Sequence, residues 1–275
     1  MLSARPGVLD PGRSRAAQYG VMTDSRLWTG PAVALVTFFD DDGVVLPEET
    51  AAHAARLVDA GIRAVLVAGS TGEATALTDD ERVTLVTAVR LACPQVPLLA
   101  GATGEWSGPA AERAAEVVKA GADAVLVAPP RLGGSLGAYF QRVVEAAAGA
   151  PVLAYHFPGV AGGPLPVEEL AGLPLAGIKD SAGDPGRLAT ELDWAAGAVY
   201  TGSAALTGYA SWLGAAGAIL AVANLAPELA LAAWDRDPAA QRELIRIERA
   251  YRAAPGGLKA ALTERLNTPP ARRLG

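Results

Sequence analysis

The chain is poor in the residues that most often mark a site. Its 275 residues include one cysteine, Cys93, and two histidines, His53 and His156. A single cysteine excludes an internal disulfide and fits a reducing compartment, so a cytoplasmic protein is expected. Cys93 precedes Pro94 at an apparent helix end and reads as packing. No grouping of Cys, His and Asp has metal-ligand spacing, so no metal is expected. The net charge is −6 with no basic block, which argues against nucleic acid as a partner. Met1 to Arg26 is polar and arginine-bearing, without the apolar core of a signal peptide. A flexible arm is expected over 1–26, with Met22 as a second possible start. The most apolar run, Leu206 to Ala223, is broken by Gly208, Gly214 and Gly217 and followed by Asn224 and Pro227. It reads as a buried helix running into a buried strand, not as a membrane span.

Lysine is scarce too. Of 23 basic residues 20 are arginine, and the lysines are Lys119, Lys179 and Lys259. Lys119 and Lys259 fall in polar-faced helical stretches, where an ammonium is expected to stay in water. Lys179 instead ends the apolar run Leu173-Pro174-Leu175-Ala176-Gly177-Ile178 and precedes Asp180-Ser181. An arginine keeps its charge, whereas a desolvated lysine can lose its proton and attack a carbonyl carbon to form a Schiff base. The plain alternative is a strand-end lysine paired with Asp180.

What is abundant is alanine, valine and leucine: 51% of the chain is hydrophobic, enough for a sizeable core. Ala60-Gly61-Ile62-Arg63-Ala64-Val65-Leu66-Val67-Ala68 recurs as Ala120-Gly121-Ala122-Asp123-Ala124-Val125-Leu126-Val127-Ala128, with a looser echo at Ala216–Val222. Each copy reads as a helix closed by glycine, then a strand apolar on both faces. Eight such strands start near Ala32, Ala64, Pro97, Ala124, Pro151, Leu175, Ala198 and Gly217. Helical segments lie between them, among them Thr78–Leu91 behind a Thr78-x-x-Glu81 capping box and Pro109–Ala120. No GxGxxG follows the first strand, so a dinucleotide-binding sheet is disfavoured. The pattern predicts an α/β fold, a (β/α)8 TIM barrel over 27–236, with extra C-terminal helices over 237–275 packed on it.

Catalytic groups of such barrels sit at the C-terminal ends of the strands. Strand two ends in Gly69-Ser70-Thr71-Gly72-Glu73 and strand five in Tyr155-His156-Phe157-Pro158. Strand six ends in Lys179-Asp180-Ser181 and strand seven in Thr201-Gly202-Ser203. Burial in the barrel would lower the pKa of Lys179, and Tyr155 could shuttle protons. The Gly69–Glu73 turn offers amide N–H groups and two hydroxyls to a carboxylate. A small 2-oxo acid suits these parts, its keto carbon at Lys179 and its carboxylate on the turn. Taken singly, the turn and Tyr155 also read as ordinary strand-end features.

The ordered set Gly-Ser-Thr-Gly-Glu, Leu77-x-x-x-Glu81, Tyr-x-x-Pro and Gly-Ile-Lys-Asp-Ser-x-Gly-Asp resembles the dihydrodipicolinate synthase / N-acetylneuraminate lyase superfamily. The resemblance runs from about Gly30 to Asn224. It implies a class I aldolase in which Lys179 forms an imine with pyruvate or another 2-oxo acid and Tyr155 relays protons. It also implies that Ser70 and Thr71 hold the carboxylate and that Gly202 and Ile219 line the pocket. No cofactor beyond the covalent lysine imine is implied, and the expected assembly is a homo-oligomer, tetramer or dimer. Two departures bear on the substrate. The lysine-biosynthesis branch has Tyr-Asn-x-Pro-x-Arg-Thr-Gly, and here Val160 stands in place of that arginine. Where the family often has Pro-Tyr-Tyr, with a tyrosine reaching into a neighbouring subunit's site, this chain has Pro129-Pro130-Arg131-Leu132. Arg131 is a candidate for binding an acidic group of the substrate, against a plain solvent-facing arginine. His156, in place of asparagine, is expected to make a supporting hydrogen bond. The expected activity is that of an aldolase acting on 2-keto-3-deoxy or 4-hydroxy-2-oxo acids. Alternatives are 4-hydroxy-tetrahydrodipicolinate synthase, a 2-keto-3-deoxy acid dehydratase, and a degenerate barrel that binds a 2-oxo acid without turnover.

Overall fold

Strands that are apolar on both faces must be covered on both sides, and a closed barrel ringed by helices does this without leaving an edge. The computed structural model describes residues 26–131, 133–194 and 197–274. Strands β1 (Gly30–Ala34), β2 (Val65–Val67), β3 (Leu98–Gly101), β4 (Ala124–Val127), β5 (Val152–His156), β6 (Gly177–Asp180), β7 (Ala198–Thr201) and β8 (Gly217–Leu220) form a closed barrel. Each pairs in parallel with the next, and β8 returns to β1 through Gly30↔Gly217 to Val33↔Leu220. The largest offset from the expected starts is two residues, at β1 (Gly30 against Ala32) and β6 (Gly177 against Leu175). The predicted (β/α)8 TIM barrel with extra C-terminal helices is the fold observed. The expected arm over 1–26 falls, apart from Arg26, outside the described residues.

The ring consists of α1 (Pro47–Asp59), α2 (Asp79–Ala92), α3 (Ser107–Lys119), α4 (Leu136–Ala146), α5 (Pro185–Trp194), α6 (Thr207–Leu213) and α7 (Pro227–Trp234). Helices α8 (Pro238–Ala253) and α9 (Gly257–Leu266) follow. Helix α2 starts as its capping box requires: Glu81 N–H donates to Thr78 Oγ1 at 3.2 Å, and Thr78 N–H donates to Glu81 Oε2 at 2.9 Å. One unit departs from the pattern. Between β5 and β6 there is a 3-10 segment, Val167–Gly172, because Pro164, Pro166, Gly172 and Pro174 leave too short an uninterrupted stretch for an α-helix. The apolar run Leu206 to Ala223 is resolved into α6 and β8. Among the described residues no helix is long and apolar enough to cross a membrane.

Alternation along the strands builds two apolar layers. Val33, Val65, Val125 and Ile178 face outward to meet Leu57, Leu85, Val117 and Phe140 of the helices. Ala32, Ala34, Leu66, Leu99, Leu126, Leu153, Tyr155, Tyr200 and Ile219 fill the interior. Trp28, just before β1, stacks on Tyr200 with ring centroids 4.1 Å apart, and Tyr200 Oη donates to the Trp28 carbonyl at 3.3 Å. This pair closes the barrel at its N-terminal end. At the other end Asn224 joins β8 to β1: its Nδ2 donates to Ala34 O at 2.7 Å, and its Oδ1 accepts from Val36 N–H at 3.2 Å.

The end of β2 is crowded. A Cβ on Gly101 would lie 2.1 Å from the Ala68 carbonyl oxygen. Buried Arg82 donates to that carbonyl at 3.3 Å and to Gly101 O at 2.7 Å. Gly101→Ala should therefore destabilise the protein by about 2 kcal/mol through overpacking, read as a lower denaturation midpoint. An unchanged midpoint would show that β2 and β3 can separate freely here.

Candidate active site

Lys179 projects from β6 into the barrel interior. In register it lies beside Tyr155 on β5 and Tyr200 on β7. The lysine is buried, and its Nζ stands 4.8 Å from the centroid of the Tyr155 ring. Among the described residues no ion pair reaches it. The pairing with Asp180 considered above does not form. Asp180, one step along the strand, points to the opposite face and pairs with Arg187 of α5 at 3.0 Å. Arg187 also meets Glu191 at 2.8 Å and donates to Leu165 O at 2.8 Å. Burial without a counter-charge lowers the Lys179 pKa from 10.5 to about 7. A large fraction of neutral amine is then present near neutrality.

Three hydroxyls group around Tyr155, whose ring faces this amine. Tyr155 is buried, with its Oη 3.5 Å from Ser70 Oγ. Burial raises the pKa of Tyr155, while hydrogen bonds with Ser70 and Ser181 oppose the rise. Ser181 was quoted in the sequence motif without a role; it is the third hydroxyl of the group. Gly202 makes room for it, because a Cβ there would fall 1.9 Å from Ser181 Oγ and 3.0 Å from Lys179 Cε. The requirement is space beside the lysine; the β8 residue Ile219 is buried deeper in the same interior cluster as Tyr155.

The turn after β2 is a 3-10 helix over Ser70–Gly72, followed by Glu73 in the left-handed region with φ +56° and ψ 41°. Gly72 and Glu73 donate their N–H groups back to Gly69 and Ser70 carbonyls at 3.0 and 3.1 Å. The amides of Ser70 and Thr71 have no backbone carbonyl partner among the described residues. Thr37 Oγ1 donates to Gly72 O at 2.8 Å, fixing the turn to the chain after β1. Two amides without a backbone partner and two hydroxyls thus sit together on this turn, an arrangement able to take a carboxylate.

Other expected residues lie at the rim. Arg131 is exposed, and its Nη2 donates to Val160 O at 2.9 Å, linking the loop after β4 to the loop after β5. His156 is buried and its Nδ1 accepts from Leu165 N–H at 3.2 Å, which holds the loop leaving β5. Lys259 corrects the sequence reading. It is buried, with its Nζ 2.6 Å from Glu73 Oε1, because the fold brings α9 against the turn after β2. Among the described residues no three or more Cys, His, Asp or Glu side chains are grouped to hold a metal.

Below pH 7 Lys179 is protonated in the folded and the unfolded chain, and the cost of burying its charge is borne in full. Between pH 7 and 10.5 the unfolded chain binds a proton that the folded chain does not, so stability rises with pH. Lys179→Met should therefore stabilise the protein most at pH 6. The gain over the parent should shrink by about 2–3 kcal/mol by pH 9 in denaturant titrations. A gain that does not vary with pH would mean an unperturbed lysine.

The family model described as the dihydrodipicolinate synthetase family matches residues 28–241. An uncharacterized DapA-like lyase of Halobacterium salinarum is 35% identical over 252 residues, covering 85% of this chain and 83% of the relative. A 4-hydroxy-tetrahydrodipicolinate synthase of Corynebacterium aurimucosum is 33% identical over 241 residues, covering 83% and 78%. Among solved structures, the prophage protein YagE from E. coli K12, of the dihydrodipicolinic acid synthase family and in complex with pyruvate, superposes with a TM-score of 0.76. It is 25% identical, with 85% of this chain and 86% of that one covered. With the match spanning the whole barrel and the closed site at its mouth, this chain belongs to the dihydrodipicolinate synthetase family.

Proposed function

We propose that the protein is a Schiff-base lyase acting on pyruvate and related 2-oxo acids such as 2-keto-3-deoxy or 4-hydroxy-2-oxo acids. The observation that carries this reading is a buried lysine without a counter-ion, lowered to about 7, facing Tyr155 and the Ser70–Thr71 turn. In the cleavage direction Lys179 Nζ adds to the keto carbon. The carbinolamine loses water, and the protonated imine draws electrons from the C3–C4 bond. Tyr155, held as a phenol by burial, gives its proton to the departing carbinolamine hydroxyl, and the phenolate so formed takes the proton of the C4 hydroxyl as the C3–C4 bond breaks to an aldehyde and an enamine. Protonation of the enamine at C3 and hydrolysis return pyruvate and the free amine. The lysine imine is the whole of the covalent chemistry, and no separate cofactor is invoked. Ser70 and Thr71 hold the carboxylate, Gly202 leaves room for the adduct, and Ile219 walls the interior. Ser181 supplies a hydroxyl beside Tyr155 within the chain's own site.

A second reading, 4-hydroxy-tetrahydrodipicolinate synthase, is favoured by relatives that bear this name. Against it stands Val160, an apolar residue half exposed at the rim where that branch has an arginine for its second substrate. We assign the neighbouring cation, Arg131, to an acidic group on the distal half of the substrate. A homo-oligomer is part of the proposal, supported by the exposed Trp106 and Trp212.

Borohydride added with pyruvate should leave a covalent adduct on Lys179 that is absent in Lys179→Ala. Without an adduct the imine reading fails. A panel of 2-keto-3-deoxy and 4-hydroxy-2-oxo acids, followed by pyruvate release, identifies the substrate; an adduct with no turnover of any member favours a binding-only barrel. Arg131→Ala should raise KM roughly tenfold for substrates with a distal acid group and leave neutral ones unchanged. An equal rise for both would remove Arg131 from substrate binding.

A further inference from the structure

We propose that the segment 267–274, together with Lys259, is a strap that sets the affinity of the carboxylate-binding turn, with Glu73 as the positioning residue it grips. The proposal rests on the reading that Ser70 and Thr71 hold the carboxylate of a 2-oxo acid.

Glu73 immediately follows Ser70-Thr71-Gly72, and its N–H closes the turn on Ser70 O at 3.1 Å. Its left-handed backbone is unfavourable for a residue with a side chain, so something outside the turn must maintain it. Its carboxylate is buried and takes three hydrogen bonds, each from far along the chain. Lys259 Nζ donates to Oε1 at 2.6 Å, and the backbone N–H groups of Arg273 and Leu274 donate to Oε2 at 2.8 and 2.7 Å. Lys259 Nζ also donates to Ala271 O at 2.8 Å, so the same ammonium ties α9, the strap and the turn together. Both cations of the strap cover one ring: Lys259 Nζ lies 4.2 Å and the Arg273 guanidinium 4.7 Å from the centroid of Phe39.

The Arg273 side chain extends the grip to either side. It donates to Gly43 O at 2.7 Å, to Ala76 O at 2.7 Å, and to both carboxylate oxygens of Glu81 at 2.8 and 2.6 Å. Gly43 belongs to the loop after β1, Ala76 to the chain after Glu73, and Glu81 to the first turn of α2. The strap therefore contacts three separate stretches at this end of the barrel. Without its donors a buried carboxylate would have to turn out to water, and Glu73 would relax from its left-handed backbone. Ser70 and Thr71, three and two residues away, would move with it.

The test compares the parent with Glu73→Gln, Lys259→Met and a chain ending at Ala271. The shortened chain removes the two amide donors and leaves the side chains of Glu73 and Lys259 themselves unchanged. Lys179 is trapped with borohydride over a range of pyruvate concentrations, and in parallel over methyl pyruvate, which has the same keto carbon and no free carboxylate. The expected result is a half-saturating pyruvate concentration raised about tenfold, an unchanged maximal adduct, and no shift for the ester. An unchanged half-saturation for pyruvate in the folded shortened chain overturns the strap, as does an equal shift for acid and ester. If the parent itself gives no adduct with pyruvate, the lyase reading falls and the strap falls with it. A parent adduct with unshifted variants removes the strap alone.

Discussion

The rest of the site depends on the unpaid desolvation of one ammonium. Lys179 lies inside a barrel whose other fillings are apolar or aromatic, above a floor closed by Trp28 and Tyr200. A carboxylate at its side would hold the proton on it. Alternation along β6 prevents this, since Asp180 points outward to Arg187 and Glu191 while Lys179 points inward. The Tyr155 ring faces the amine, and the Tyr155 hydroxyl meets those of Ser70 and Ser181.

The use of cations across the molecule follows the same logic. Arginine, which keeps its charge, serves structure: Arg82 gathers the carbonyls of Ala68, Gly101 and Ala74, Arg187 holds Asp180 against the chain at Leu165, and Arg273 spans Gly43, Ala76 and Glu81. Two of the three lysines are buried at opposite sides of one mouth. Lys179 is buried unpaired, and Lys259 is paired with Glu73. The same residue type takes different roles according to whether a carboxylate meets it.

The barrel was legible because strands buried on both faces leave an uninterrupted apolar signature, and the repeat around Gly61 and Gly121 marks where helices end. Lys179 was legible because it breaks that signature at a strand end. Lys259 was misread, since its helical neighbours Thr263, Glu264 and Arg265 give a polar face while its partner lies 186 positions away. Helical periodicity reports only local neighbours. Ser181 was hidden for a related reason: its place beside Tyr155 depends on the room Gly202 leaves from the next strand. The missing α-helix between β5 and β6 could have been read from the prolines at 164, 166 and 174.

A chain with three lysines makes the central claim directly measurable. Side-chain labelling of lysine with ¹⁵N and ¹³C gives three ammonium signals, and the one lost in Lys179→Met is that of Lys179. In the folded protein it should titrate near pH 7, well below the ordinary lysine value of 10.5. A midpoint at or above that ordinary value would contradict an amine activated by burial.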